Sequence, residues 1–299
     1  MDTDSQNAPL KTLLWKIPLI AAIYFFCKTI AATLVLSIGL RFPEMPGHSW
    51  NPFLDFLGGF VLVICLVFLA RGIGGSLKKR WLILLAFSYV SLVINNQIEA
   101  VVFTTAHEVP TMLLFFILPC IVATGVTLAL IKPPNDQVAL ESVFADRSMK
   151  SLWWRLLLAW LAFPVIYYFF GALIYPLVAG VYAQQDSGLQ VPGQLVILGA
   201  VSVRSLFFLL ASIPILVNWR RSRLGLVLSL AAAFTAMVGV TGLIESTWMP
   251  TQLRIVHSIE ILADSLVHAW VLVALLIPKP KIEQAERVPE MGAVTEASN

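Results

Sequence analysis

Four titratable side chains recur at one-turn intervals toward the C-terminal part of the chain. They are His257, Glu260, Asp264 and His268, separated by three, four and four residues. At about 100° per residue, an α-helix places them within an arc of roughly 80°. Imidazole and carboxylate groups can bind a divalent metal ion such as zinc, copper, iron or nickel, and they can also pass protons along a helix. We therefore expect one polar helix face that binds a metal ion or conducts protons or a solute.

A second polar stripe lies in an earlier apolar stretch of the chain. Ser88, Ser91, Asn95 and Glu99 follow one another at helical spacing, and Glu245 stands at the end of a later apolar stretch. Ionisable groups in hydrocarbon are costly, so they usually face the interior of a helix bundle and often mark function. The alternative role is structural, because polar side chains within a bundle also act as hydrogen bonds between helices.

Two cations, Lys28 and Arg204, lie well inside apolar stretches. A charged Lys or Arg at the centre of a spanning helix costs about 2.5–3.5 kcal/mol on insertion scales, so each is expected to have an acidic partner. The candidate partners are Glu99, Glu245, Glu260 and Asp264.

The elements that must position these groups are membrane-spanning helices. The chain has 299 residues, of which 59% are hydrophobic and 12% are charged, whereas soluble domains carry about 25% charged residues. A helix needs about 20 apolar residues to cross a bilayer. The composition thus predicts an all-α, polytopic membrane protein, and a net charge of +3 gives no reason to expect a nucleic-acid partner. The predicted spans are 16–40, 53–71, 81–105, 110–131, 153–183, 195–217, 224–247 and 252–277.

The distribution of Lys and Arg predicts the orientation of these spans. One set of connections, which includes both terminal segments, holds nearly all basic residues, and the opposite set holds only Arg41 and Arg254. The positive-inside rule then places both termini in the cytoplasm and requires an even number of spans. The chain contains no Asn-x-Ser/Thr sequon, which fits a plasma membrane of the bacterial inner-membrane type.

The order of the spans suggests two similar halves. We divide the chain into a cytoplasmic segment 1–15, a first half 16–131, a cytoplasmic linker 132–152 with an interfacial helix, a second half 153–277 and a disordered tail 278–299. The sequence Ile98-Glu99 near the end of span three matches Ile244-Glu245 near the end of span seven. Four spans per half would leave the halves parallel, an arrangement that some carriers have.

The predicted orientation places Glu99, Glu245, His257, Glu260 and Asp264 in the outer half of the membrane. Hence we expect an acidic cavity that opens outward and narrows toward Lys28 and His268. Three functions fit: a transporter or permease for a cation, a metal ion or a proton-coupled small solute; an enzyme, possibly metal-dependent, that acts on a lipid or lipid-linked substrate at the outer leaflet; or a membrane sensor or assembly factor. The sequence contains no nucleophile-elbow, zinc-protease or dinucleotide-binding motif that would identify a reaction.

Overall fold

Long apolar helices make up the fold. The computed structural model describes residues 10–45, 47, 49–105, 107–132, 147–182 and 188–278. Within these residues the protein is all-helical, and eight helices are long and apolar enough to span a membrane, which confirms the predicted fold class. They are α1 (Leu10–Ser37), α2 (Pro52–Ala70), α3 (Leu77–Phe103), α4 (Val109–Leu130), α5 (Met149–Tyr182), α6 (Gln194–Asn218), α7 (Arg223–Glu245) and α8 (Thr251–Leu276). The predicted interfacial helix of the linker falls mostly on residues 133–146 and the predicted tail on residues 279–299, outside the described residues.

Local sequence fixes several helix starts. The Asn51 side chain accepts hydrogen bonds from the backbone N–H groups of Phe53 and Leu54, and Pro52 occupies the first helical turn of α2. Ser76 and Ser222 cap α3 and α7 in the same manner. Such caps satisfy backbone donors that a helix start otherwise leaves unpaired.

Two of the helices, α3 and α7, contain a π-helical turn. In α3 it covers Tyr89–Ile94, and in α7 it covers Ala236–Val240. Each turn precedes the Ile-Glu pair that the sequence comparison of the two halves identified. Turns of this kind are rare and occur often at functional sites.

Side chains of α3 stabilise the altered backbone of both turns. The Nδ2 group of Asn95 donates to the carbonyl oxygen of Val90 within the turn of α3, at 3.2 Å. The neighbouring Asn96 reaches across to α7, where its Nδ2 donates to the carbonyl oxygen of Met237 at 2.8 Å. The two π-helical turns are therefore joined directly.

The helix pairs in contact follow one pattern in both halves. Helix α1 packs on α2 and α4, and α5 packs on α6 and α8. Helix α3 packs on α4 and α6, and α7 packs on α8 and α2. These pairings agree with the predicted four-plus-four repeat, which itself stays a prediction.

The helix termini form two ends of the bundle, which differ in charge. The acidic end is where α1, α3, α5 and α7 finish, and the basic end is where α2, α4, α6 and α8 finish. Thr247 bonds to the backbone of Ser49 at the acidic end, and the Ile73–Trp219 bridge joins two loops at the basic end.

Cations at the basic end bind carbonyl groups that the last turns of helices leave free. Arg80 Nη2 donates to the carbonyl oxygen of Ala70 in α2 at 2.7 Å, and Lys16 Nζ donates to that of Leu130 in α4 at 2.8 Å. A cation at a helix C-terminus also interacts favourably with the helix dipole.

Candidate functional site

A cavity of about 450 Å³ lies among the helices at the acidic end of the bundle. Loop residues Pro43, Met45 and Trp248 form part of its wall near that end. Three tyrosines line it, and its remaining titratable groups are four carboxylates, one guanidinium and one imidazole. They are Glu99, Glu245, Glu260, Asp264, Arg204 and His257.

The first charge cluster of the site joins α1, α2 and α7. Lys28 is buried and forms ion pairs with the carboxylates of Asp55 and Glu245. Its Nζ lies 3.1 Å from each carboxylate oxygen of Glu245. Gly58 makes room for this acid, because a Cβ at that position would lie only 2.6 Å from Glu245 Oε1. The structure thus brings together Lys28 and Glu245, two of the residues proposed from the sequence.

Asp55 is a member of this cluster that the sequence interpretation missed. The sequence analysis does not single it out, whereas the structure buries it in the first turn of α2. Its Oδ2 also accepts a long hydrogen bond of 3.4 Å from the indole N–H of Trp50. The signal that could have found it is an acidic residue directly after the Asn51-Pro52 helix start, one turn before two glycines.

The second cluster joins α6 and α3. Arg204 Nη2 lies 2.7 Å from Glu99 Oε2. The Arg204 side chain is 2% exposed, whereas that of Glu99 is 39% exposed. The first cluster has the same arrangement, since Lys28 is 7% exposed and Glu245 30% exposed. In both clusters a buried cation therefore holds a carboxylate in the cavity wall.

A chain of three hydrogen-bonded side chains occupies the same cavity near α8. His257 Nδ1 lies 2.6 Å from Glu260 Oε2, and its Nε2 lies 3.1 Å from the hydroxyl of Tyr182. The carboxylate fixes one ring nitrogen, so the other faces the phenol. Tyr182 was not predicted as a site residue, because its position at the end of α5 has no sequence relation to α8.

Asp264 has no cationic partner in an ion pair among the described residues. The side chain is buried yet lines the cavity, and it accepts a long hydrogen bond of 3.4 Å from the neighbouring Ser265 hydroxyl. Glu260, one turn earlier, is bonded to His257 but to no Lys or Arg of the described chain. Within the described residues, neither carboxylate is therefore held in an ion pair by a lysine or an arginine.

His268 lies apart from the other three residues of its helix face. It is 1% exposed, does not line the cavity, and neither ring nitrogen has a hydrogen-bond partner among the described residues. Its ring contacts Phe163, Phe208 and Phe234 at centroid distances of 5.1, 6.1 and 5.5 Å. Phe163 also lines the cavity, so an aromatic layer separates His268 from it.

The positions of the His and carboxylate side chains can be compared with what a metal site requires. Among the described residues, no group of three or more His, Cys, Asp or Glu side chains is placed to hold a metal ion.

Asn95, another residue proposed from the sequence, is buried, and its side chain donates a hydrogen bond to the adjacent π-helical turn. The adjacent Asn96 lines the cavity instead.

Comparison with known proteins gives no relative for this arrangement. No protein-family model, curated protein or solved structure matches the chain.

Proposed function

We propose that this multi-pass membrane protein is a carrier that exchanges a small organic cation for protons through the cavity at the acidic end. The observation that carries the proposal is the charge of the lining: four carboxylates face one guanidinium and one imidazole. Intramembrane carboxylates and histidines of this kind commonly line ion and proton paths.

The ion pairs identify which carboxylates bind the solute. Lys28 is shared by Glu245 and Asp55, and Arg204 pairs with Glu99, so both clusters hold the wall in shape. Glu260 and Asp264 form no ion pair with a Lys or Arg of the described chain, so these two carboxylates are the ones that a cationic solute would neutralise. Aromatic rings of Tyr167 and Trp248 line the same space and favour an organic cation through cation–π contact.

Coupling to protons follows from competition at one site. A carboxylate that holds a proton no longer attracts a cation, so a proton and the solute exclude each other. Because each ligand weakens the other by the same factor, a carrier with such a site exchanges them. An organic cation is favoured over a metal ion, since the described residues hold no group of ligands for a metal.

The predicted orientation of the spans indicates to which side of the membrane the cavity opens. If the basic end is cytoplasmic, the cavity faces the exterior and the aromatic layer around Phe163 closes it toward the cytoplasm. Rocking of two four-helix halves would then open it on the other side, as in carriers with parallel repeats. Orientation, repeat and domain limits (16–131 and 153–277) are parts of the proposal.

A counterflow experiment tests carrier activity. Vesicles containing the purified protein are loaded with unlabelled choline, guanidinium or putrescine, and the same labelled cation is added outside. We expect a transient accumulation of label for at least one cation, abolished in Asp264→Asn and retained in the matched control Lys132→Gln at the basic end. Absence of accumulation for every cation, in vesicles that hold folded protein, would refute the proposal.

The chain of Tyr182, His257 and Glu260 favours a second candidate, an enzyme that uses acid–base chemistry on a lipid or lipid-linked substrate. A carboxylate that orients a histidine, which in turn faces a third group, is a common arrangement for proton transfer. This candidate would be supported if the wild-type protein turned over a lipid extract, if His257→Ala did not, and if neither protein gave counterflow. Neither flux nor turnover would leave a sensor or assembly factor.

A further inference from the structure

Two loops at the basic end are held together as one unit. Residue Ile73 of the α2–α3 loop forms an antiparallel bridge with Trp219 of the α6–α7 loop. Gly74 N–H donates to the carbonyl oxygen of Asn218, and Arg220 N–H donates to that of Gly72, both at 2.8 Å. A Cβ at Gly72 would lie 2.0 Å from the Trp219 ring, so the close approach requires glycine there.

This unit concentrates positive charge without an acidic neighbour. Its basic side chains are Arg71, Lys78, Lys79, Arg220 and Arg221, which we call the basic patch. None of them forms an ion pair with a described acid, whereas Arg80, Arg155 and Arg223 nearby are occupied by backbone carbonyl groups.

Arg71 and Arg221 directly flank Gly72 and Arg220, which are joined by a backbone hydrogen bond, so the two arginines stand on adjacent segments of the bridged loops. Burial and the Arg71 guanidinium both lower the pKa of Arg221. The Nε atom of Arg221 is buried and has no hydrogen-bond partner among the described residues. Two like charges held near each other by a bridged pair of loops are unfavourable unless an anion lies between them. The guanidinium fork suits a phosphate, which it can bind through two parallel hydrogen bonds.

Apolar side chains next to the basic patch indicate the source of this phosphate. Leu77 and Leu224 begin α3 and α7 beside the patch and are 60% and 67% exposed. A free phosphate ion would make no use of such neighbours, whereas the acyl chains of a phospholipid would cover them. Basic pockets between spanning helices on the cytoplasmic side bind lipid headgroups in this way.

We propose that the basic patch binds the phosphate headgroup of an anionic phospholipid, with Arg71 and Arg221 as its principal contacts. The site is on the opposite end of the bundle from the cavity and is independent of the transport proposal. The negative charge of the lipid phosphate offsets the positive charges of the two bridged loops.

Native mass spectrometry of the full chain in detergent tests the site. The probes are phosphatidylglycerol and phosphatidylcholine with identical acyl chains, and the variants are Arg71→Gln/Arg221→Gln and the control Lys132→Gln/Lys150→Gln. We assign to each arginine that contacts the headgroup a contribution of about fivefold, the value of one basic residue at an anionic lipid surface, and none to Lys132 and Lys150, which lie outside the basic patch. We therefore expect the double arginine variant to bind phosphatidylglycerol about thirtyfold more weakly, while the lysine control, with the same loss of charge, binds as wild type does.

Further variants and competitors distinguish a phospholipid site from a site for a free anion or a general loss of charge. Arg71→Lys/Arg221→Lys keeps the charge but loses the planar fork, and we expect intermediate affinity; its unfolding temperature shows whether folding is intact. Equal binding of the two lipids by wild-type protein, or equal loss in both double variants, would overturn the proposal. Displacement of phosphatidylglycerol by inorganic phosphate would reassign the site to a free anion.

The chain's own linker is the remaining occupant to exclude. Asp136, Glu141 and Asp146 stand in the segment 133–146. If wild-type protein bound no phosphatidylglycerol, whereas Asp136→Asn/Glu141→Gln/Asp146→Asn did, the patch would belong to the linker and the proposal would be wrong. We expect this triple variant and the wild type to bind phosphatidylglycerol alike.

Discussion

Removal of Lys28 is the sharpest perturbation of the site. Lys28→Met leaves the buried carboxylate of Asp55 and that of Glu245 facing each other without a cation. Loss of one partner from a buried ion pair costs about 3–5 kcal/mol, which corresponds to an equilibrium constant of unfolding about 10²–10⁴ times larger. Met fills nearly the same volume, so the loss reflects charge and not a cavity.

The acids of the same cluster should respond less strongly when each is neutralised alone. In Asp55→Asn the cation keeps Glu245, and in Glu245→Gln it keeps Asp55. We expect each to cost about 1.5–3 kcal/mol, the range for hydrogen bonds to charged groups. The triple variant Lys28→Met/Asp55→Asn/Glu245→Gln removes every charge of the cluster, and it should recover at least half of the loss seen in Lys28→Met.

Reversible unfolding in mixed detergent and SDS micelles, followed by far-UV circular dichroism, measures these free energies. Lys78→Met serves as the control because Lys78 is exposed at the basic end, and its free energy of unfolding should match that of the wild type. If Lys28→Met were as stable as the wild type, or if the triple variant were no more stable than Lys28→Met, the buried ion pairs would not organise this site.

Two further predictions concern helix packing and helix ends. Gly239→Ala would place a Cβ 2.1 Å from Ile261 Cδ1 in α8 and should lower the free energy of unfolding by about 1–3 kcal/mol through overpacking; Gly242→Ala, with nothing within 4 Å, should be neutral or stabilising by up to about 1 kcal/mol. Arg80→Met removes a buried donor to two backbone carbonyls and should cost about 1.5–3 kcal/mol, whereas Lys79→Met, beside it and exposed, should not differ from the wild type. The same unfolding assay measures all four variants, and equal losses within either pair would contradict the packing described.

The sequence predicts the helices well because the bilayer imposes strong rules on length and apolarity. The predicted span limits lie within about four residues of the helix ends, except that α1 begins six residues before the predicted start, at Leu10. The start of α2 follows from Asn51 and Pro52. The convergence of Glu99, Glu245, Glu260 and Asp264 on one cavity could be anticipated because hydrocarbon excludes such groups from the lipid face.

Contacts between distant helices could not be obtained from the sequence in the same way. The choice of Glu99 as the partner of Arg204 depends on how α3 packs on α6. Asp55 and Tyr182 were missed because only the packing of α2 and α5 brings them to the site. Helical periodicity placed His268 on the same face as Asp264, but the packing of three phenylalanines separates it from the cavity.

Exchange of a cation for protons is the most direct measurement of the central claim. Vesicles that contain the protein and a trapped pH-sensitive dye are placed at equal pH on both sides, and the organic cation that gives counterflow is added outside. The account predicts that the interior becomes alkaline as protons leave, and that Asp264→Asn and Glu260→Gln abolish the change while Lys132→Gln does not. Cation uptake without a change of interior pH, or an unchanged response in both acidic variants, would contradict it.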